Sequence, residues 1–156
     1  MRSPDWIGWY FVLATTVSHS EIVAEARRWL GTRFQHRGHA AGIGADCIGL
    51  VYGIARKFGL CENFKLPAYA PLPANGLMVG HCERTLIRIQ NPRPGSIGLL
   101  RFEYEPTHLA IFGDHPLHGL SLIHSYVKAR KVVEHGFDSV WRSRLIAVYD
   151  YPGLSD

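Results

Sequence analysis

One cysteine and two histidines in this chain stand where they could act together on a carbonyl. Cys47 follows Asp46 in G-I-G-A-D-C-I-G-L-V-Y-G, residues 42–53, where a glycine-rich loop gives way to an apolar helical run. A thiol attacks as thiolate. The unpaired amides of a helix's first turn carry partial positive charge that lowers a cysteine pKa from ~8.5 to about 3.5–7.5. The same amides suit the oxyanion formed in acyl transfer. Asp46 is placed to cap that helix or to present a carboxylate to a substrate amine. A nucleophilic thiol also needs an imidazole base, and the base needs an orienting group. His108 in T-H-L-A-I-F and His124 in L-I-H-S-Y fit those two roles. Strand alternation puts His108 on one face with Ala110 and Phe112, and His124 with Leu122 and Tyr126. If both faces turn toward the Cys47 helix, a line Cys47–His108–His124 results, with His108 as base and His124 behind it.

Each of these residues also has a plainer reading. Cysteine is among the most buried residue types, and a lone one at a helix start is more often an inert core thiol. A single strand histidine is more often a satisfied core or surface residue. The same three side chains could hold zinc, but neither C-x-x-C nor H-x-x-x-H occurs, and no metal or cofactor is expected. His36, His39, His81, His115, His118 and His135 are given no role.

The elements that must position these groups can be read from pattern. Ser18-His19-Ser20-Glu21 has the form of a capping box, followed by Ile22, Ala26, Trp29 and Leu30 at helical spacing, with Gly31 as the stop. From Asp46 a second helix carries Cys47, Leu50, Val51, Ile54 and Phe58 on one stripe. Gly49 and Gly53 weaken it intrinsically, so close packing must hold it. Residues 66–76 read as a proline-punctuated loop and 77–90 as a shorter helix. After Pro94-Gly95 the character changes. Strand-like runs cover 96–102, 108–112, 120–127, 131–135 and 145–151. Helices first and strands after make an α+β chain, with the helices packed on an antiparallel sheet.

Composition sets the outer bounds. A length of 156 residues, 47% apolar and 19% charged, suits one globular domain, taken as 18–156 behind an apolar extension at 1–17. The net charge of +4 favours polyanions in general. The basic residues are scattered, with short clusters only at 27–28 and 128–131, so no nucleic-acid partner is expected. Three cysteines, Cys47, Cys61 and Cys82, form no disulfide framework. The apolar run Trp6–Val17 is too short to span a bilayer, and no A-x-A cleavage pattern follows it. It reads as a packed extra segment or an over-long start, with no clear signal peptide and no stable membrane insertion.

Taken in order, several motifs carry a resemblance. They are A-R-R-W-L-G-T-R-F-Q-H, G-A-D-C-I-G-L-V, R-P-G-S-I-G-L-L-R-F, T-H-L-A-I-F, L-I-H-S-Y, V-V-E-H-G-F and W-R-S-R-L-I-A-V-Y-D-Y-P. From about Ser20 to Tyr151 the chain resembles the NlpC-type cell-wall peptidases, papain-like cysteine hydrolases, and most closely their small phage-tail subgroup. The resemblance implies N-terminal helices carrying the cysteine against a C-terminal antiparallel sheet of about five strands. It implies hydrolysis of peptidoglycan stem peptides, typically between D-glutamate and a diamino acid. The matching positions give Cys47 as nucleophile, His108 as base and His124 as orienting residue, with Asp46, Phe34 and Ser125 on the substrate. Phe34 stands where many relatives have tyrosine. The subgroup implies a virion tail or cell-envelope site of action after synthesis in the host cytoplasm, with phage tail-tip proteins as partners. A decayed structural tail component, or an acyltransferase or deacylase on the same scaffold, are the alternatives.

Overall fold

The computed structural model describes residues 16–60, 76–102 and 105–156. Cys61, the proline-punctuated loop up to residue 75, and the apolar run up to residue 15 lie outside the described residues. The first helix, α1 (His19–Arg28), starts as its sequence dictates. The Ser18 hydroxyl accepts the Glu21 N–H at 3.2 Å and the Glu21 carboxylate accepts the Ser18 N–H at 2.9 Å, closing the capping box. Val17, just before it, bridges to Leu154 near the other end of the chain.

A small hairpin, β1 (His39–Ala40) with β2 (Gly44–Ala45), then leads into α2 (Cys47–Phe58). Leu50, Val51 and Ile54 are buried as their stripe requires. The two helix glycines explain how α2 fits. A Cβ at Gly49 would lie 1.7 Å from the Gly38 carbonyl oxygen, and one at Gly53 would lie 2.3 Å from the Trp29 ring. The loop backbone and the indole occupy the space that side chains would take. Glu25 joins the two helices. It accepts the Trp29 indole N–H at 3.2 Å and pairs with Lys57 of α2.

The helix expected over 77–90 is shorter. It ends at Thr85 as α3 (Leu77–Thr85), and Ile87–Ile89 form β3, an edge strand paired with the last strand of the chain. The β-branched isoleucines at 87 and 89 follow Leu86, whose extended backbone ends the helix. The other strands are β4 (Ile97–Phe102), β5 (Glu105–His115), β6 (Gly119–Tyr126), β7 (Lys131–Gly136) and β8 (Leu145–Asp150). They form a six-stranded antiparallel sheet in the order β3-β8-β4-β5-β6-β7, where about five strands were expected. The stretch between His108 and His124 is a long hairpin, paired out to His115 opposite Gly119. A short helix the sequence reading lacks, α4 (Ser139–Arg144), is capped by Asp138, whose carboxylate accepts the Trp141 N–H at 3.1 Å.

The sheet is covered on both sides. Ile97, Leu99, Leu109, Ile111 and Ile123 pack with Ile22, Ala26, Leu50 and Ile54 of α1 and α2. On the opposite face Leu100, Ala110, Phe112 and Leu122 pack with Phe137 and with Trp141 of α4. Each leucine, isoleucine or phenylalanine among them contributes about 1.5–3 kcal/mol on burial, so both layers fix the sheet.

Candidate active site

The start of α2 is held from several directions. Asp46 is 4% exposed, and its Oδ1 accepts the Gly49 N–H at 2.7 Å, the cap its position calls for. Its Oδ2 accepts the Arg37 N–H at 2.6 Å, and His36 Nδ1 lies 3.8 Å away. The carboxylate expected to meet substrate is thus also the peg that fastens the glycine-rich loop to the helix. The Ser125 hydroxyl of β6 donates to the Ala45 carbonyl at 2.6 Å, two residues before Cys47. Ser125 is 1% exposed, so in this structure it ties sheet to helix rather than lining an open surface.

Cys47 sits where the sheet parts. Phe112 exchanges hydrogen bonds with Gly95 and Ser96 at 2.8 Å on the β4 side, so by alternation Ile111 and Leu109 turn their amides toward β6. Pairing with β6 runs as far as Ile111 opposite Ile123 and stops there. Beyond that point the Leu109 N–H meets the Cys47 thiol in place of a strand. The thiol therefore occupies the split between β5 and β6, beside the backbone of His108.

The histidines reach this split differently from the sequence expectation. The faces carrying His108, Ala110 and Phe112, and His124, Leu122 and Tyr126, turn toward α4, because Leu109, Ile111 and Ile123 supply the layer under α2. The cysteine and the histidines therefore do not lie on one face of the sheet. The Leu109 amide acts on the thiol to lower its pKa, and among the described residues no hydrogen bond joins the thiol to the His108 ring. His108 and His124 do meet, with His108 Nε2 2.6 Å from His124 Nδ1. His124 Nε2 lies 2.7 Å from Nε2 of His135, and His135 Nδ1 is 2.9 Å from the Gly136 carbonyl oxygen. Aromatic rings enclose the series. Phe102 lies 5.0 Å from His108, Tyr126 stacks on His124 at 5.1 Å, and Trp141 meets His124 edge-on at 5.1 Å.

Burial governs the charges. Although Cys47 is only half-buried, the packing around its thiol pushes it up to about 12, with the Asp46 carboxylate adding to the rise. The amides of Leu109, Ile48 and Cys47 pull the other way and lose. This overturns the expectation of a thiol acidified by its helix start: desolvation outweighs the first-turn amides. Burial lowers His108 to about 3, assisted by Arg144 and His135, and lowers His124 to about 2, assisted by His108 and His135. At neutral pH the site holds a neutral thiol beside neutral imidazoles.

Phe34 is half-buried and bridges to Ala45, with its N–H donating to Arg130 at 2.8 Å, which places it beside the loop that enters α2. The residue that sequence reasoning missed is His135. It shares a β-rich run and a face with Val133, but its meeting with His124 depends on the register of β6 against β7, where His124 pairs with Val133 and Leu122 with His135. Nothing in a single sequence gives that register. Among the described residues no three His, Cys, Asp or Glu side chains are grouped to hold a metal ion, and the three histidines meet nitrogen to nitrogen at hydrogen-bond distance.

The likeness to solved structures can be set against this geometry. A protein from Staphylococcus aureus described as similar to lipoprotein, NLP/P60 family, matches with a TM-score of 0.58 and 18% identity, over 86% of this chain and 41% of its own. The NlpC/p60 domain of the peptidoglycan hydrolase SagA matches with a TM-score of 0.57 and 18% identity, over 86% of this chain and 99% of its own. The fold is that of an NlpC/P60 domain. The chain thus spans less than half of the staphylococcal protein and nearly all of the SagA domain. No protein-family model and no curated protein sequence matches it. In the NlpC/P60 fold seen here, helices lie against an antiparallel sheet, with the start of α2 at the split between β5 and β6.

Proposed function

We propose that this protein is a cysteine endopeptidase that hydrolyses peptidoglycan stem peptides, at the amide between D-glutamate and a diamino acid. One observation supports the reading: Cys47 begins a helix, its thiol is tied to the amide of Leu109, one residue along from His108, and His108 is hydrogen-bonded to a second histidine. The NlpC/P60 fold supports the substrate class, since a domain of a peptidoglycan hydrolase has the same fold.

In the reaction, His108 takes the thiol proton as Cys47 sulfur bonds to the substrate carbonyl carbon. Because both groups are neutral at rest, proton transfer accompanies attack instead of preceding it. The amides at the start of α2 receive the oxyanion. The C–N bond then breaks, His108 returns its proton to the leaving amine, and a thioester remains on Cys47. Water, deprotonated by the same ring, hydrolyses the thioester and restores the thiol. His124 orients His108 throughout, while Asp46 and Phe34 border the approach to the helix start. The motifs shared with the phage-tail subgroup support a tail-associated or cell-envelope site of action, with tail-tip proteins as partners.

A second reading is favoured by one feature. The Cys47 thiol is pushed up to about 12 and has no hydrogen bond to the His108 ring, as a decayed structural tail component would have. Mass-spectrometric assay of a purified stem tetrapeptide with wild type and Cys47→Ala separates the two. Cleavage by the wild type alone is expected. Cleavage by neither would select the decayed component, and equal cleavage by both would remove Cys47 from the mechanism.

A further inference from the structure

The series of rings behind His108 ends on a group that cannot change its role. A carbonyl oxygen only accepts, so the Gly136 oxygen, 2.9 Å from His135 Nδ1, requires the His135 proton on Nδ1. When that ring carries a single proton, its Nε2 keeps a lone pair. Its neighbour at 2.7 Å, His124 Nε2, must donate to it. With the His124 proton on Nε2, its Nδ1 accepts, and His108 Nε2 at 2.6 Å must be the donor. One lone pair is left over, on Nδ1 of His108. That is the nitrogen a general base needs, since the other is committed to His124.

We propose that His135 is a positioning residue: through its hydrogen bond to the Gly136 carbonyl it sets the tautomers of His124 and His108, and so keeps Nδ1 of His108 unprotonated and able to take the Cys47 proton. The proposal rests on the peptidase reading of Cys47 and His108 given above. Trp141 holds the series in place, with its ring centroid 4.9 Å from that of His135 and 5.1 Å from that of His124. An apolar residue at 135 would fill the space but accept no proton. His124 could then turn its proton to Nδ1, which would force His108 to carry its own on Nδ1 and block the base.

The test reads tautomers directly, by two-bond 15N–1H correlation NMR on the full chain without substrate. Wild type is expected to show protons on Nδ1 of His135 and on Nε2 of both His124 and His108. His135→Leu is expected to show mixed tautomers at His108 and to lose roughly 10- to 100-fold in kcat with KM little changed, the scale of other losses of a ring-orienting partner. His135→Gln supplies an acceptor oxygen to His124 and an N–H for the Gly136 carbonyl, and is expected to restore the His108 tautomer and most of the rate. A wild-type His108 protonated on Nδ1, or a His135→Leu protein with unchanged tautomers, would overturn the proposal. If His135→Leu does not fold, the wild-type spectrum and His135→Gln decide it. Turnover that survives Cys47→Ala would sink the peptidase reading instead, and leaves the tautomer measurement as it stands.

Discussion

At the scale of single residues, the balance between burial and local dipoles decides the chemistry. Cys47 has the helix start that should acidify a thiol, yet the packing around it pushes the group up to about 12. The sequence identified the position but not its dielectric surroundings, because burial is a property of everything packed around the thiol. Two consequences separate this state from a preformed thiolate–imidazolium pair. The first is that the rate of iodoacetamide labelling at Cys47 should climb continuously with pH into the alkaline range. A labelling plateau already reached below pH 7 would contradict it. The second concerns the proposed base: by the tautomer argument above, its free nitrogen is Nδ1 of His108, a choice made two rings away at His135. Asp46, Cys47, His108 and His124 could be singled out as candidates from their types and spacing. His135 was not, since a strand histidine acquires its partner only through register.

At the scale of elements, the site depends on how closely α2 enters the strand split. Ser125 donating to Ala45, Asp46 holding the Arg37 amide, and the Leu109 amide on the thiol all act at its first turn. The absence of side chains at Gly49 and Gly53 sets how near the helix comes. Gly49→Ala places a methyl against the backbone oxygen of Gly38, which has no flexible end to move. Gly53→Ala meets the edge of the Trp29 ring at 2.3 Å and the His39 carbonyl oxygen only at 3.2 Å. Denaturant unfolding should therefore show Gly49→Ala as the more destabilised, by roughly 1–3 kcal/mol, the usual cost of overpacking. Equal stability of the two variants would mean that the loop yields as readily as the indole. Both glycines were visible in the sequence as close-packing positions. The C-terminal end of the third helix was not, because the strand tendency of Ile87 and Ile89 is realised only when β8 is there to pair with. The capped turn at Asp138 was missed for another reason: W-R-S-R is too short to show a period.

At the scale of the whole molecule, two covered faces of one sheet produce both the site and its response to acid. The order of helices before strands was enough to give the α+β class, since each half carries a different hydrophobic period. What it left open was which face each histidine takes, because alternation fixes relative faces and tertiary packing assigns them. The resulting burial has a thermodynamic signature. His108 and His124 fall from 6.5 to about 3 and about 2. Below pH 6.5 the unfolded chain binds protons at these positions that the folded chain does not, so stability rises with pH there. Their contribution is present in full above pH 6.5 and is lost as pH falls toward about 3. Thermal midpoints measured across that window should fall with acid, and less steeply in His108→Asn; an unchanged slope in that variant would assign the loss to other groups.

The claim that joins the three scales is that Cys47 bonds to the substrate carbonyl. Acid quenching during turnover of a stem tetrapeptide, followed by mass spectrometry of the peptide containing Cys47, tests it directly. The account predicts a thioester at Cys47 whose added mass equals the acyl half of the cleaved peptide. Cleavage by wild type and Cys47→Ala alike, with no adduct on that peptide, would contradict it.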